Sequence, residues 1–168
     1  VIGAGAQGRS HLAAMMEVRD IQKVTVYDQR REAAKKYQKE MEEKYKIPVM
    51  VCDSVEEAVK GAEIICTVTP SKEPYLKAEW IAPGAHINAV GAFTPNTREI
   101  ESSLMAKAKL YADQVEAMKK ESGEYLIPKD EGLFGEEHIT GSIGGILAGQ
   151  VPGRENDTEI TLFDALGL

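Results

Sequence analysis

The chain has 168 residues, the length of a single domain and enough to bury a full core. Its 20 basic and 27 acidic side chains leave a formal charge of −7, so a nucleic-acid phosphate backbone is not an expected partner. No apolar run reaches the roughly 18 residues of a membrane span, so a membrane is not expected either. Cys52 and Cys66 each sit in an apolar run without CxxC or histidine spacing. Two buried free thiols in a reducing, cytoplasmic setting are therefore expected ahead of a disulfide.

Val1-Ile2 run directly into Gly3-Ala4-Gly5. A strand feeding such a loop normally has about five or six residues, so the pattern predicts further residues upstream. The spacing of Leu12, Met15 and Met16 predicts a helix from Gly8, and 21–27 reads as a strand. A charged helix over 30–45 follows, with Ala33, Tyr37, Met41 and Tyr45 spaced by four along one buried face. Pro48 precedes a short strand over 49–52, and Ser54 with Glu57 has capping-box spacing for a helix ending near Gly61. Residues 63–68, rich in β-branched side chains, form a strand that Thr69-Pro70-Ser71 breaks. A short helix around 77–81 stops at Pro83-Gly84, and 85–90 reads as the next strand. Asn96 and Glu99 have capping-box spacing before a helix to Lys109, and 110–112 is a short strand. A helix to Ser122 stops at Gly123, 136–148 reads as a glycine-interrupted helix, and a strand over 159–163 closes the domain.

Apolar strands alternating with helices are the signature of βαβ units. The fold class is therefore α/β: a Rossmann-type, doubly wound, mainly parallel sheet with helices on both faces. Counting Val1-Ile2 as the first strand, the core order is expected to be 3-2-1-4-5-6, with the second and fourth strands flanking the first. No repeat, low-complexity tract or linker divides the chain.

Gly3-Ala4-Gly5-Ala6-Gln7-Gly8 matches GxGxxG between a strand and a helix. The first glycine permits a tight turn, the second lets a pyrophosphate approach the backbone, and the third lets helix and strand pack closely. The helix start then offers free N–H groups and partial positive charge. GxGxxG alone is a weak signal. Asp28, twenty residues after Gly8 and directly after a strand, strengthens it. A carboxylate there accepts the two ribose hydroxyls of NAD and repels the 2′-phosphate of NADP. Gln29 and Arg30 share that turn. Arg30 and Arg31 could welcome a phosphate, but both also suit the first turn of a helix, so NAD is expected ahead of NADP. Ligands of open parallel sheets bind beyond the carboxyl ends of the strands. Thr67, Val68 and Thr69 after one strand, and Val90 and Gly91 after the next, are the remaining candidates. His11 and His86 read as packing residues and His138 as exposed, and no His, Cys or acidic set has metal-ligand spacing. A glycine loop for S-adenosylmethionine fits less well, because the third glycine and Asp28 favour a diphosphate-bearing ligand.

Residues 79–91 (Glu-Trp-Ile-Ala-Pro-Gly-Ala-His-Ile-Asn-Ala-Val-Gly), with Pro95 and Arg98-Glu99 after them, resemble the ornithine cyclodeaminase/mu-crystallin family. The opening glycine loop, Leu110-Tyr111-Ala112-Asp113, Glu121-Ser122-Gly123-Glu124 and residues 160–167 resemble it too, in order along essentially the whole chain. The resemblance implies a two-domain, usually homodimeric enzyme with NAD(P) on a Rossmann domain. It implies a second domain, built largely from N-terminal sequence, that holds an amino- or imino-acid carboxylate, and a helix after Leu168. This chain is then expected to be the cofactor domain alone. Family chemistry is hydride transfer at a carbon next to nitrogen. Some members carry a proton-transferring acid at the position of Phe93, and many carry serine at that of Ala165. A phenyl ring moves no proton, so the resemblance points to imine reduction or amino-acid dehydrogenation. The alternatives are ornithine cyclodeamination proper and a dinucleotide-binding protein without catalysis.

Overall fold

The computed structural model describes residues 1–167. Two groups of parallel strands meet at the start of the chain. In one, β1 (Val24–Val26) pairs with β2 (Val49–Val51). In the other, the spatial order is β3 (Ile64–Thr67), β4 (His86–Ala89), β7 (Thr161–Asp164), β5 (Lys109–Ala112) and β6 (Ile139–Ser142). Ile2 joins the groups. Its N–H donates to the Cys66 carbonyl at 2.9 Å and its carbonyl accepts from Val68 N at 3.0 Å. On its other side, Gly3 N donates to the Tyr27 carbonyl at 2.9 Å and Tyr27 N to the Val1 carbonyl at 3.0 Å. The strands after residues 21 and 63 therefore flank Val1-Ile2 on opposite sides, as the sequence predicts.

Beyond β4 the order departs from expectation. β7 lies between β4 and β5, so the fifth and sixth predicted strands are not neighbours. The side chains explain this. Thr161, Leu162 and Asp164 are buried, as a strand covered on both faces requires, whereas every residue of β6 is only half-buried. Residues 136–148 also differ from the single predicted helix. They form a 3-10 turn (Glu136–His138), then β6, then the one-turn helix α7 (Ile143–Leu147). Gly144 and Gly145 disfavour a continuous helix, and Ile139-Thr140 suit a strand at the sheet edge.

Helices cover both faces. Side chains alternate along a strand, and β1 shows the consequence. Val24 and Val26 face Leu12 of α1 (Ala6–Val18) and Ala34, Tyr37 and Met41 of α2 (Arg31–Tyr45). Thr25 faces the other way, its Oγ1 donating to the Ala58 carbonyl of α3 (Val55–Val59) at 2.7 Å. The buried stripe of α2 thus runs through Ala34, with Ala33 and Tyr45 only at its margin. A larger core cluster gathers Ile65, Ile87, Leu110 and Leu162 from the strands. Leu104 and Met105 of α4 (Ser102–Lys107) and Met118 of α5 (Val115–Glu121) pack onto it.

Two predicted helix boundaries also shift. The helix expected after Asn96 begins only at Ser102, because Glu99 is fully buried and turned inward instead of capping. Gly123 opens a helix, α6 (Gly123–Asp130), rather than merely stopping one. Ser122 is its cap and accepts from Tyr125 N at 3.4 Å. By contrast, Ser54 caps α3 as predicted, accepting from Glu57 N at 3.1 Å.

The approach of α1 to the loop before it fixes the geometry of the whole edge. A Cβ on Gly8 would stand 2.3 Å from the Gly3 carbonyl oxygen. Gly8→Ala is expected to destabilise the chain by about 1–3 kcal/mol through overpacking, read as a lower urea midpoint at an unchanged slope. An unchanged midpoint would contradict the described packing.

Candidate functional site

Gly3 adopts φ +108°, and a Cβ there would meet the Val68 carbonyl oxygen at 2.8 Å. Both facts require glycine. Gly5 is different. Around the position of its Cβ there is no protein atom within 4 Å, so the space in front of it is open. Gly5 is also the N-cap of α1, which has neither a side-chain cap nor an acid in its first turn. The N–H groups of Ala6, Gln7 and Gly8 have no acceptor four residues back, so the helix presents them, with its positive end, at that opening. The loop carbonyls are tied from behind. Arg9 donates to the Ala4 carbonyl and, at 2.9 Å, to the Gly5 carbonyl, while its Nε donates to Glu40 of α2 at 2.8 Å. Tyr37 Oη donates to the Gly8 carbonyl at 3.1 Å.

Asp28 lies two residues past the end of β1. Its Oδ2 accepts from Ala4 N and its Oδ1 from Arg30 N, each at 2.9 Å. The carboxylate therefore locks the glycine loop to the start of α2, and each oxygen retains a further lone pair for a ligand hydroxyl. Arg30 is 79% exposed, with Nε 3.6 Å from the same carboxylate, so it is a rim residue.

These residues border a cleft of about 630 Å³ at the carboxyl end of the strands. Gly3, Gly5, Asp28, Gln29 and Arg30 line one part, and Val68, Thr69 and Tyr75 another. The remaining sequence candidates are placed differently. Ala6 and Gln7 are exposed on the first turn of α1, and Gly8 is buried behind it. Val90 and Gly91 leave β4 half-buried, outside the cleft wall itself. Thr67 is fully buried in β3, its hydroxyl without a partner among the described residues, so it does not reach the cleft. It is the last of three consecutive buried residues at the end of β3, a strand covered on both faces, and only beyond it do Val68 and Thr69 emerge.

Sequence reasoning missed the groups that hold the far wall. Glu99 is buried, and its Oε1 accepts from Thr69 N at 2.7 Å and from Thr69 Oγ1 and Tyr75 Oη at 2.6 Å each. Its Oε2 accepts from Gly91 N at 2.9 Å. Burial, then the adjacent Glu99 carboxylate, push the Tyr75 phenol well above its usual range, which keeps it a donor. Glu124, at the start of α6, accepts from Glu99 N at 2.6 Å and Ile100 N at 3.2 Å. Burial pushes its carboxyl well above the usual range, and those backbone bonds oppose the shift. Ser122 Oγ donates to Asp164 Oδ2 at 2.6 Å. The one available signal was the presence of Glu99, Glu124 and Asp164 beside apolar residues. The capping-box spacing of Asn96 and Glu99 obscured it.

The histidines lie elsewhere. His11 Nδ1 is 2.9 Å from the Gln7 carbonyl, within α1. His86 sits at the opposite, amino end of β4, bonded to Thr161 Oγ1 at 2.8 Å, and burial lowers its pKa. His138 is half-buried rather than exposed. It stacks on Phe134 at 4.4 Å and contacts the Met105 carbonyl at 2.8 Å. Cys52 and Cys66 are free and buried, and among the described residues no group of three or more His, Cys, Asp or Glu could hold a metal ion. No described helix is long and apolar enough to cross a membrane.

The family model for the ornithine cyclodeaminase/mu-crystallin family matches residues 1–168. The chain belongs to that family. Mouse ketimine reductase mu-crystallin is 40% identical over 168 residues, covering 100% of this chain and 50% of the mouse protein. The structure of Thermococcus litoralis Δ1-pyrroline-2-carboxylate reductase in complex with NADH and L-proline superposes with a TM-score of 0.97 at 42% identity. That match covers 99% of this chain and 52% of the reductase. An archaeal alanine dehydrogenase dimer with bound NAD gives a TM-score of 0.93 at 40% identity, covering 99% of this chain and 51% of its own. The chain thus spans about half the length of the family relatives it matches.

In this family member, Asp164 supplies a pH-dependent term. Burial raises its carboxyl from 3.8 to about 7, against the opposing hydrogen bond from Ser122. Between those values the folded chain holds a proton that the unfolded chain releases. The resulting stabilisation is full below the unfolded value and is lost as pH rises through about 7. Asp164→Asn keeps a carbonyl acceptor for Ser122 and removes the buried charge. Its melting temperature relative to the unmutated chain is expected to be more favourable at pH 8 than at pH 5. A difference independent of pH would contradict this.

Proposed function

We propose that the chain is the NAD(H)-binding part of an oxidoreductase that acts on an imino or amino acid, with imine reduction as its principal direction. The observation that carries this reading is the cleft at the point where the strand order reverses. There the open face of Gly5, the uncapped start of α1 and the Asp28 carboxylate converge. Ala6, Gln7 and Gly8 would donate backbone N–H bonds to the diphosphate. Asp28 would accept the hydroxyls of the adenosine ribose, with Gln29 and Arg30 beside it. The other half of the dinucleotide then extends past Val68 and Thr69 toward Val90 and Gly91. When bound, the reduced nicotinamide supplies a hydride to a carbon–nitrogen double bond.

Relatives that are reductases of pyrroline-2-carboxylate and ketimines support the substrate class. Phe93, 62% exposed on the loop after β4, has no proton to give, which favours reduction over cyclodeamination. The dimeric archaeal relative supports a homodimeric parent.

Arg30 is the one basic residue on the described cleft wall, and it lies at the adenosine end. A substrate carboxylate needs a cation at the other end, and the second domain that the family resemblance implies would supply it. The chain is expected to bind NADH yet show no turnover with NADH and pyrroline-2-carboxylate, or with NADH, ammonia and 2-oxo acids. Steady, protein-dependent loss of reduced-nicotinamide absorbance with any of these would overturn that division of labour.

Cofactor choice has its own test. Calorimetry is expected to give tighter binding of NADH than of NADPH, and Asp28→Ala is expected to cost about tenfold or more for NADH while narrowing the gap. Gly5→Ala should cost less than about 1 kcal/mol of stability, since its new methyl meets no protein atom, yet weaken NADH strongly. Tighter NADPH binding to the unmutated chain, or NADH binding indifferent to Gly5→Ala, would sink the assignment.

A further inference from the structure

The proposed site leaves one strong feature without a role: a buried carboxylate that binds two separate loops at once. Thr69 belongs to the loop leaving β3 and Gly91 to the loop leaving β4. Glu99 accepts from the backbone of both, and from the hydroxyls of Thr69 and Tyr75, at 2.6–2.9 Å. A Cβ on Gly91 would lie 2.2 Å from the Thr69 carbonyl oxygen and 2.5 Å from Glu99 Oε2. The loops are therefore drawn together as closely as a bare backbone allows. Glu99 is itself fixed, since Glu124 accepts from its N–H and its carbonyl accepts from Tyr75 N and Leu76 N at 2.8 and 3.0 Å.

The topology says what these loops face. The adenosine half of a dinucleotide lies toward Asp28, on the β1 side of Ile2, and the diphosphate lies on α1. The other half must lie on the β3 and β4 side. Building on the proposed function, we infer that Glu99 is a positioning residue for the nicotinamide half of the cofactor. It touches neither cofactor nor substrate. It sets the spacing and rigidity of the two loops that form the seat.

All four partners of Glu99 are donors. In Glu99→Gln the amide NH2 must replace one acceptor. The hydroxyls can rotate to accept, but Thr69 N–H and Gly91 N–H cannot. One loop is thereby released while the adenosine side is untouched. A purely structural role would weaken every ligand alike.

The experiment is calorimetric titration of the chain and its variants with NADH and with ADP-ribose, which lacks the nicotinamide. The unmutated chain is expected to bind NADH more tightly than ADP-ribose. In Glu99→Gln, ADP-ribose affinity should hold within about twofold, while NADH affinity falls about fivefold or more toward it. Tyr75→Phe and Thr69→Val each delete one hydroxyl and leave Glu99 in place. They should give a smaller loss confined to NADH, and they carry the test should Glu99→Gln fail to fold. The inference is overturned by parallel losses for both ligands, by no loss in folded variants, or by equal affinity of the unmutated chain for the two ligands. Failure of the unmutated chain to bind ADP-ribose at all would instead reject the cofactor site on which the inference rests.

Discussion

The contact between α1 and the loop that feeds it sets the geometry of this molecule. Gly8 lies so close to the Gly3 carbonyl that no side chain fits between them. That closeness brings the start of a thirteen-residue helix to the carboxyl edge of the sheet. Tyr37 and Arg9 hold the arrangement from the helix side, and Asp28 holds it from the strand side by accepting from Ala4 N. A helix start is costly to leave bare, since its N–H groups need acceptors. Here no side chain supplies one, and Gly5 leaves room for something else to do so.

The opposite wall of the cleft is built by another means. Backbone packing yields there to buried carboxylates: Glu99 clasps the loops after β3 and β4, Glu124 holds Glu99, and Ser122 links the start of the same helix to Asp164. Buried acids are expensive unless hydrogen-bonded, and Glu99 and Glu124 each accept backbone N–H groups. Asp164 is the least compensated. Its Oδ1 has no partner among the described residues, which agrees with a carboxyl raised to about 7. One wall is thus set by the absence of side chains and the other by buried acidic ones.

The two walls were not equally legible in the sequence. Gly3, Gly5 and Gly8 stand within one turn and helix start, whose geometry dictates their spacing, and Asp28 stands one helix and one strand further on, so spacing alone singles these positions out. Thr67 has the hydroxyl and the strand-end position that suit a ligand-facing surface, but it ends a strand buried on both faces and stays inside. Glu99 pairs with residues eight to thirty positions away, a relation that no local spacing encodes. The strand order failed for a similar reason. Residues 159–163 read correctly as a strand, but only burial on both faces reveals that β7 is interior. In 136–148, glycine interruptions were visible, yet the pairing with β5 that favours a strand depends on distant sequence.

The most direct test is a crystal structure of the chain grown with NADH. The account requires diphosphate oxygens within about 3.2 Å of N–H groups in the first turn of α1. It also requires the adenosine ribose hydroxyls on Asp28, with the nicotinamide beyond Val68 and Thr69. A dinucleotide bound elsewhere, or one whose diphosphate avoids the face of Gly5, would contradict it.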